Sequence, residues 1–128
     1  TYNTPAIGTL FLMNEQMKLL NRIGYAAVQA EARRKAKLMY DWAEAKSYLS
    51  AFVRDPSYRS QAVATIDVSE KFKVEDLTKV LRAQNAAIDI DAYRKLGRNQ
   101  LRIALFHNVA YEDLEKLTRI ISLAIETA

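Results

Sequence analysis

The stretch that decides the fold is YRKLGRNQLRIALFHNVAYEDLEKLTRIISLAIE, residues 93–126. Its residues 101–106 alternate between apolar and polar side chains, which predicts a half-buried strand. Apolar residues then return at helical spacing after Glu112 and Asp113. These acids suit the positive end of a helix dipole, so a helix is predicted to begin near Tyr111. A strand followed by an amphipathic helix is typical of a sheet covered by helices.

The region before this stretch predicts more elements of the same kinds. Residues 59–68, RSQAVATIDV, alternate with period two and predict a second strand, which follows a turn signal at residues 54–56. Residues 47–53 and 88–90 predict two shorter strands. Residues 74–84 predict a helix between them. The inward side chains of that helix are expected to be Val74, Leu77, Val80 and Leu81.

Two long helices are predicted at the N-terminal end. Asn3 or Thr4 is expected to cap the first, with Pro5 at its first helical position, and the helix is expected to end at Gly24. The second helix is expected to cover about residues 25–45, with one alanine-rich apolar face. Its other side is predicted to be solvated and carries Glu31, Arg33, Arg34, Lys35 and Lys37.

These elements define an α/β chain with a small α+β domain. Residues 46–128 are expected to form an antiparallel or mixed sheet with helices packed on one face, and residues 1–45 a preceding helical segment. A chain of 128 residues, half of them hydrophobic, fits one compact domain better than two.

The composition limits the kinds of functional site that the chain can contain. The chain has no cysteine and one histidine, His107, so thiolate metal sites, disulfides and cysteine nucleophiles are excluded. We assign no metal site and no catalytic residue. A net charge of +4 is weak evidence for a nucleic-acid partner, and no apolar run approaches the roughly 20 residues that span a membrane. The sequence therefore predicts neither a nucleic-acid partner nor a membrane partner. The opening residues lack the pattern of a secretory leader, so a cytoplasmic location is expected.

The residues that suggest a binding site are four cations near the last strand: Arg94, Lys95, Arg98 and Arg102. No acidic residue stands among them. Because a guanidinium binds carboxylate or phosphate through two parallel hydrogen bonds, this group is a candidate anion receptor. The alternative is a solvated basic turn. Arg102 lies within the predicted strand, on the face opposite the apolar one, where it is either a rigidly placed carboxylate ligand or an exposed strand arginine.

Residues 93–126 resemble the C-terminal end of phosphoserine aminotransferases, in the form found in actinobacteria. RSQAVATID, residues 59–67, is similar to the strand that precedes it in that group. TYNTPAIGTLFL, residues 1–12, resembles the segment that crosses from the cofactor domain. The resemblance covers essentially the whole chain in the right order. It implies the C-terminal portion of a class V, fold-type I aminotransferase, in which residues 1–45 link from the cofactor-binding domain.

The resemblance also implies a function. Such enzymes exchange an amino group between phosphoserine and 2-oxoglutarate, giving phosphohydroxypyruvate and glutamate, in serine biosynthesis. They use pyridoxal phosphate and work as homodimers. By the same resemblance, Asn3 and Thr4 bind the cofactor phosphate and Arg102 pairs with the substrate α-carboxylate. Arg94, Lys95 and Arg98 together are expected to recognise the substrate phosphate.

The lysine that forms the Schiff base in this family lies N-terminal to the segment resembled by residues 1–12. The lysines of this chain stand on predicted helix surfaces or in charged turns. We therefore expect the 128 residues neither to transaminate alone nor to bind pyridoxal phosphate tightly. Two alternatives compete with the aminotransferase interpretation. One is a free-standing small-anion-binding or regulatory α/β module, and the other is a nucleic-acid-binding domain.

Overall fold

A computed structural model describes residues 4–92 and 97–127. They form α1 (Ile7–Ile23), α2 (Tyr25–Glu44), β1 (Leu49–Ala51), β2 (Val63–Val68), α3 (Val74–Ala83), β3 (Gln100–Ala104) and α4 (Tyr111–Glu126), with a single 3₁₀ turn at Pro56–Tyr58. The chain divides into two compact units, Thr1–Glu31 and Ala32–Ala128. None of the described helices is both long and apolar enough to cross a membrane.

The sheet is antiparallel, with strand order β1-β2-β3. Leu49 pairs with Val68 across the β1–β2 ladder, and Ile66 pairs with Leu101 across the β2–β3 ladder. Burial alternates along β2, since every second residue is buried. Each strand therefore presents one apolar face to the core and one face away from it.

The core lies on the apolar side of the sheet and takes side chains from three helices. Ile66, Leu101 and Ile121 are completely or almost completely excluded from solvent. Met39 and Ala43 of α2 belong to the same core, along with residues of α3 and α4. The sequence predicted two helices on this face. The second half of α2 is a third contributor.

Hydrogen bonds and charges join the ends of these elements. Trp42 donates its indole N–H to Ser122 at 3.0 Å, which ties α2 to α4. Glu126 accepts from both Lys46 and Tyr48 at 2.7 Å. The bonds from Lys46 and Tyr48 hold the pKa of the Glu126 carboxyl below its usual range, and the bond to Glu126 raises the pKa of Lys46.

Four local predictions are wrong, each for an identifiable reason. Helix α1 begins at Ile7 and not at Pro5, because Pro5 and Ala6 form a tight turn in which the Ile7 N–H bonds the Pro5 carbonyl at 2.9 Å. Ala6 is its N-cap, and no side chain caps it. Val80 is 56% exposed, because α3 is short and its apolar stripe narrow.

The predicted strand at residues 88–90 is absent from the described residues. In its place, Asp91 makes an isolated bridge with Leu101. Lys35, placed on a solvated face by its charged neighbours, is 1% exposed. Its ammonium group donates to the carbonyl of Phe106 at 3.0 Å. A long aliphatic stem lets a lysine cross an apolar layer when its charged end meets an acceptor.

The first unit has a different character. No described residue of α1 is buried, although Ile7, Phe11 and Leu12 are large and apolar. The division of the chain at residues 45 and 46 stays a prediction.

Candidate functional site

The face of the sheet opposite the core is polar, and we call it the open face. Val63 and Ala104 pair at one end of this face, and the rest of it carries five polar side chains from the three strands: Ser50, Thr65, Asp67, Gln100 and Arg102. The register places Thr65 directly opposite Arg102 and Asp67 directly opposite Gln100. Residues paired in this way on one face have Cβ atoms about 5 Å apart, so the open face forms one continuous surface.

Arg102 lies at the centre of strand β3 with its side chain exposed. Its backbone is fixed from two sides, by the β2 ladder and by a 2.7 Å hydrogen bond from its N–H to the carbonyl of Ile90. Among the described residues, none forms an ion pair or hydrogen bond with its guanidinium group. A guanidinium held on a rigid strand with its donors available suits bidentate recognition of a planar carboxylate.

Arg98 reaches the same surface from the loop before β3. Its guanidinium carbon stands 4.9 Å from the centroid of the Phe52 ring, a cation–π contact. The N–H of Phe52 bonds the carbonyl of Thr65 at 3.1 Å, which continues the β1–β2 ladder by one residue. Phe52, Thr65 and Arg102 thus form one row across three strands. At about 4.8 Å per strand, the backbones of Phe52 and Arg102 are roughly 10 Å apart.

In the neighbouring row, the two paired side chains bond each other. Gln100 is 3% exposed and donates its side-chain N–H to Asp67 at 2.6 Å. Within the described part of the chain, the Asp67 carboxylate forms no ion pair. The one acid on the open face therefore satisfies a buried amide and does not neutralise either arginine.

Thr4 lies in the other compact unit, exposed and just before α1. The first turn of α1 contains no acidic residue, and no side chain caps the helix. A helix N-terminus offers backbone N–H groups and a partial positive charge, which favour a phosphate. The free cap position and the adjacent hydroxyl of Thr4 therefore fit a phosphate-bearing cofactor.

The structure describes only part of the residue set that the sequence predicted. Arg98 and Arg102 lie on the same open face. Asn3, Arg94 and Lys95 lie outside the described residues. The sequence did not single out Phe52 or Gln100. The period-two pattern of residues 47–53 and the string RNQLR contained the signal, because each residue stands two or four positions from another on the open face.

The described residues contain no cluster of three or more histidine or acidic side chains placed to hold a metal ion. The open face offers two arginines, an aromatic ring, hydroxyls, an amide and the carboxylate that this amide bonds. Such a surface is suited to binding and orienting anions.

Comparison with models of known protein families identifies the class of this protein. The family model described as Aminotransferase class-V matches residues 1–117. The chain therefore belongs to the class-V aminotransferases, a family that in general depends on pyridoxal phosphate.

Similar proteins carry a more specific name. A putative phosphoserine aminotransferase of Mycobacterium sp. (strain KMS) is 49% identical over 128 residues, covering 98% of this chain and 34% of that protein. A phosphoserine aminotransferase of Rhodococcus opacus (strain B4) is 43% identical over 120 residues, covering 93% of this chain and 32% of that protein. The chain thus spans about a third of the length of these relatives.

Solved structures show the same fold. A phosphoserine aminotransferase from Bacillus circulans subsp. alkalophilus matches 95% of this chain and 33% of its own, with a TM-score of 0.80 and 27% identity. One from Cytophaga hutchinsonii matches with a TM-score of 0.82 and 22% identity, covering 98% of this chain and 34% of its own. The predicted α/β architecture of a fold-type I aminotransferase is confirmed.

Proposed function

We propose that the complete protein is a phosphoserine aminotransferase and that this chain supplies its anion-holding sheet face. The observation that carries the proposal is Arg102, exposed at the centre of a fixed strand with its guanidinium unpaired among the described residues. The high identity of the relatives named phosphoserine aminotransferase supports the substrate class. The reaction transfers an amino group between phosphoserine and 2-oxoglutarate, a step of serine biosynthesis.

Arg102 binds the α-carboxylate of either amino-acid substrate. Two parallel hydrogen bonds fix the plane of the carboxylate and hence the orientation of the α-carbon. The strand supplies rigidity, because β3 is bonded to β2 on one side and to Ile90 on the other. Arg102 orients the substrate and moves no proton.

Arg98 binds the second anionic end, together with Arg94 and Lys95. Its contact with Phe52 holds the guanidinium near that ring, and the backbone of Phe52 lies roughly 10 Å from that of Arg102 across the row. A ligand with two anionic groups a few bonds apart can reach both arginines. Phosphoserine carries a phosphate at that end, and glutamate carries a second carboxylate.

Asn3 and Thr4 hold the phosphate of pyridoxal phosphate. The cofactor, when bound, supplies the electron sink for moving the amino group. The Thr4 hydroxyl donates one hydrogen bond, and the N-terminus of α1 contributes its dipole. The Schiff-base lysine is expected elsewhere in the complete protein, so this chain alone binds the cofactor weakly.

The Thr4 assignment predicts that Thr4→Val in the complete enzyme raises the dissociation constant for pyridoxal phosphate by roughly tenfold, the value of one good hydrogen bond to a charged group. Cofactor binding is followed by its absorbance during titration of the apoenzyme. Ser47→Ala, which removes another exposed hydroxyl, is the control. An unchanged dissociation constant for Thr4→Val removes Thr4 from the site.

The remaining proposals concern the complete protein. It works as a homodimer in the cytoplasm, and its small-molecule partners are phosphoserine, glutamate and their 2-oxo acids. Residues 46–128 form its small domain, and residues 1–45 link that domain to the cofactor-binding part. Sedimentation of the complete protein at the mass of a monomer would contradict the dimer.

The function itself is tested by assaying the complete enzyme with pyridoxal phosphate, phosphoserine and 2-oxoglutarate, and measuring glutamate formation. We expect turnover with this pair to exceed turnover with alanine and glyoxylate. The second pair is the informative comparison, because an alanine–glyoxylate aminotransferase from Nostoc sp. shares the fold with a TM-score of 0.78 and 16% identity. Preference for alanine and glyoxylate would refute the substrate assignment.

A further inference from the structure

Asn99 is the most extensively bonded side chain in the described structure, and it lies between Arg98 and Gln100. Its side-chain NH₂ group donates to three backbone carbonyls, those of Val68 at 3.0 Å, Ser69 at 3.2 Å and Phe72 at 2.7 Å. Its side-chain oxygen accepts from the backbone N–H of Val74 at 2.9 Å. The NH₂ group has two hydrogens and three acceptors, so at least one hydrogen is shared between two carbonyls.

The bond to Val74 satisfies a backbone N–H group at the start of α3. A helix leaves its first N–H groups without partners, and the residue before the helix usually supplies a side-chain acceptor. Here that residue is Lys73, which has no acceptor and makes no cap bond. Asn99 supplies the cap from 25 positions further along the chain.

The main chain of Asn99 completes the connection. Its carbonyl accepts from the N–H of Val68 at 2.9 Å, one residue beyond the pairing of Asp67 with Gln100. The end of β2, the start of α3 and the start of β3 therefore meet at this one residue. Since a slip of one residue would turn every side chain of β3 to the other face, this junction specifies which residues occupy the open face.

The backbone conformation before Asn99 places this residue at the junction. Gly97 has φ of 61°, in the left-handed region that favours glycine. A Cβ at Gly97 would meet no atom within 4 Å, so the requirement is one of backbone conformation and not of space. The N–H of Gln100 then bonds the carbonyl of Arg98 at 3.1 Å, a tight turn around Asn99.

We propose that Asn99 is a positioning residue for the two arginines of the open face. It touches only backbone groups of residues 68–74, so its effect on substrate passes through Arg98 and Arg102. We call the four side-chain hydrogen bonds of Asn99 the clamp. Without the clamp, the loop that carries Arg98 loses its attachment to α3, and β3 loses the fixed start of its ladder. This inference rests on the proposed function of Arg102.

The test is a double-mutant cycle in the complete enzyme with phosphoserine as substrate. Asn99→Ala is expected to raise KM by roughly tenfold, since small misplacements of binding groups have effects of that order or more. The same change in a background that carries both Arg98→Ala and Arg102→Ala is expected to raise KM less than twofold, because residues that act through one another are not additive. Ser122→Ala, which removes the bond from Trp42 on the opposite side of the sheet, is the matched structural control.

The outcomes separate the two proposals. If Arg102→Ala leaves KM unchanged, the role of Arg102 fails and the Asn99 proposal fails with it. If Arg102→Ala raises KM but Asn99→Ala does not, or if both effects simply add, only the Asn99 proposal is overturned. A loss of melting temperature in Asn99→Ala equal to that in Ser122→Ala, with no change in KM, would show a purely structural role.

A measurement on the unmodified enzyme covers the case in which Asn99→Ala fails to fold. Saturating 2-oxoglutarate is expected to slow backbone amide exchange in residues 68–74, which meet the open-face arginines through Asn99. Binding and local order are linked reciprocally, so a ligand that requires the clamp also stabilises it. Unchanged exchange in that segment, with exchange slowed in β3, would overturn the proposal.

Discussion

Replacing Arg102 by alanine in the complete enzyme is expected to lower kcat/KM for phosphoserine by roughly a hundredfold. A hydrogen bond to a charged group contributes about 1.5–3 kcal/mol, and a bidentate contact lies at the upper end of that range. Because the carboxylate is bound in the ground state as well as in the transition state, most of the loss is expected in KM. Steady-state kinetics with phosphoserine varied at saturating 2-oxoglutarate measures both constants.

Two companion variants make this result specific. Arg102→Lys keeps the charge but loses the planar pair of donors, so it is expected to recover only part of the loss. Arg119→Ala removes another exposed arginine, one on α4, which packs on the other side of the sheet, and is expected to leave KM unchanged. Equal losses in Arg119→Ala and Arg102→Ala would mean that net charge and not a contact explains the effect.

The second large effect concerns stability. Ile121→Ala is expected to lower the free energy of unfolding by about 2–5 kcal/mol, because Ile121 is completely buried and its removal leaves a cavity. Leu123→Ala on the same helix is the matched control. Leu123 is 64% exposed, so its truncation is expected to cost less than about 1 kcal/mol.

Urea denaturation followed by far-ultraviolet circular dichroism measures both free energies. The contrast between the two variants matters more than either value, since both substitutions remove an aliphatic side chain from α4. Equal destabilisation by Ile121→Ala and Leu123→Ala would show that α4 does not pack as described.

Local periodicity predicted most of the fold because the elements of the second unit obey it. The apolar positions of α4 recur at helical spacing, and three of them, Leu114, Ile121 and Ile125, are buried. Strand β2 alternates in the same way. The strand predicted at residues 88–90 was wrong because two isoleucines with alternate spacing do not establish a ladder. Asp89 has φ of 55°, which an extended strand does not contain.

Contacts between residues far apart in the sequence could not be predicted from local patterns. Lys35 stands among charged neighbours, and only the tertiary structure brings the Phe106 carbonyl to its ammonium group. Asn99 caps a helix that begins 25 residues earlier, so no local capping rule finds it. Arg102 was a candidate from the sequence because its strand position is a local property. Its pairing with Thr65 and the row to Phe52 required the register of three strands.

The alternation of β3 has a consequence for how this enzyme family can change. Leu101 and Ile103 are buried in the core, whereas Arg102 between them faces the open side. The proposed substrate contact, Arg102, and the packing contacts, Leu101 and Ile103, therefore occupy alternating positions of a single strand. A substitution of the exposed Arg102 is expected to alter what the surface binds and to leave the core packing in place, since surface substitutions usually change stability by less than about 0.5 kcal/mol. Under the proposed role of Arg102, selection can thus act on ligand preference at codon 102 and on folding at codons 101 and 103.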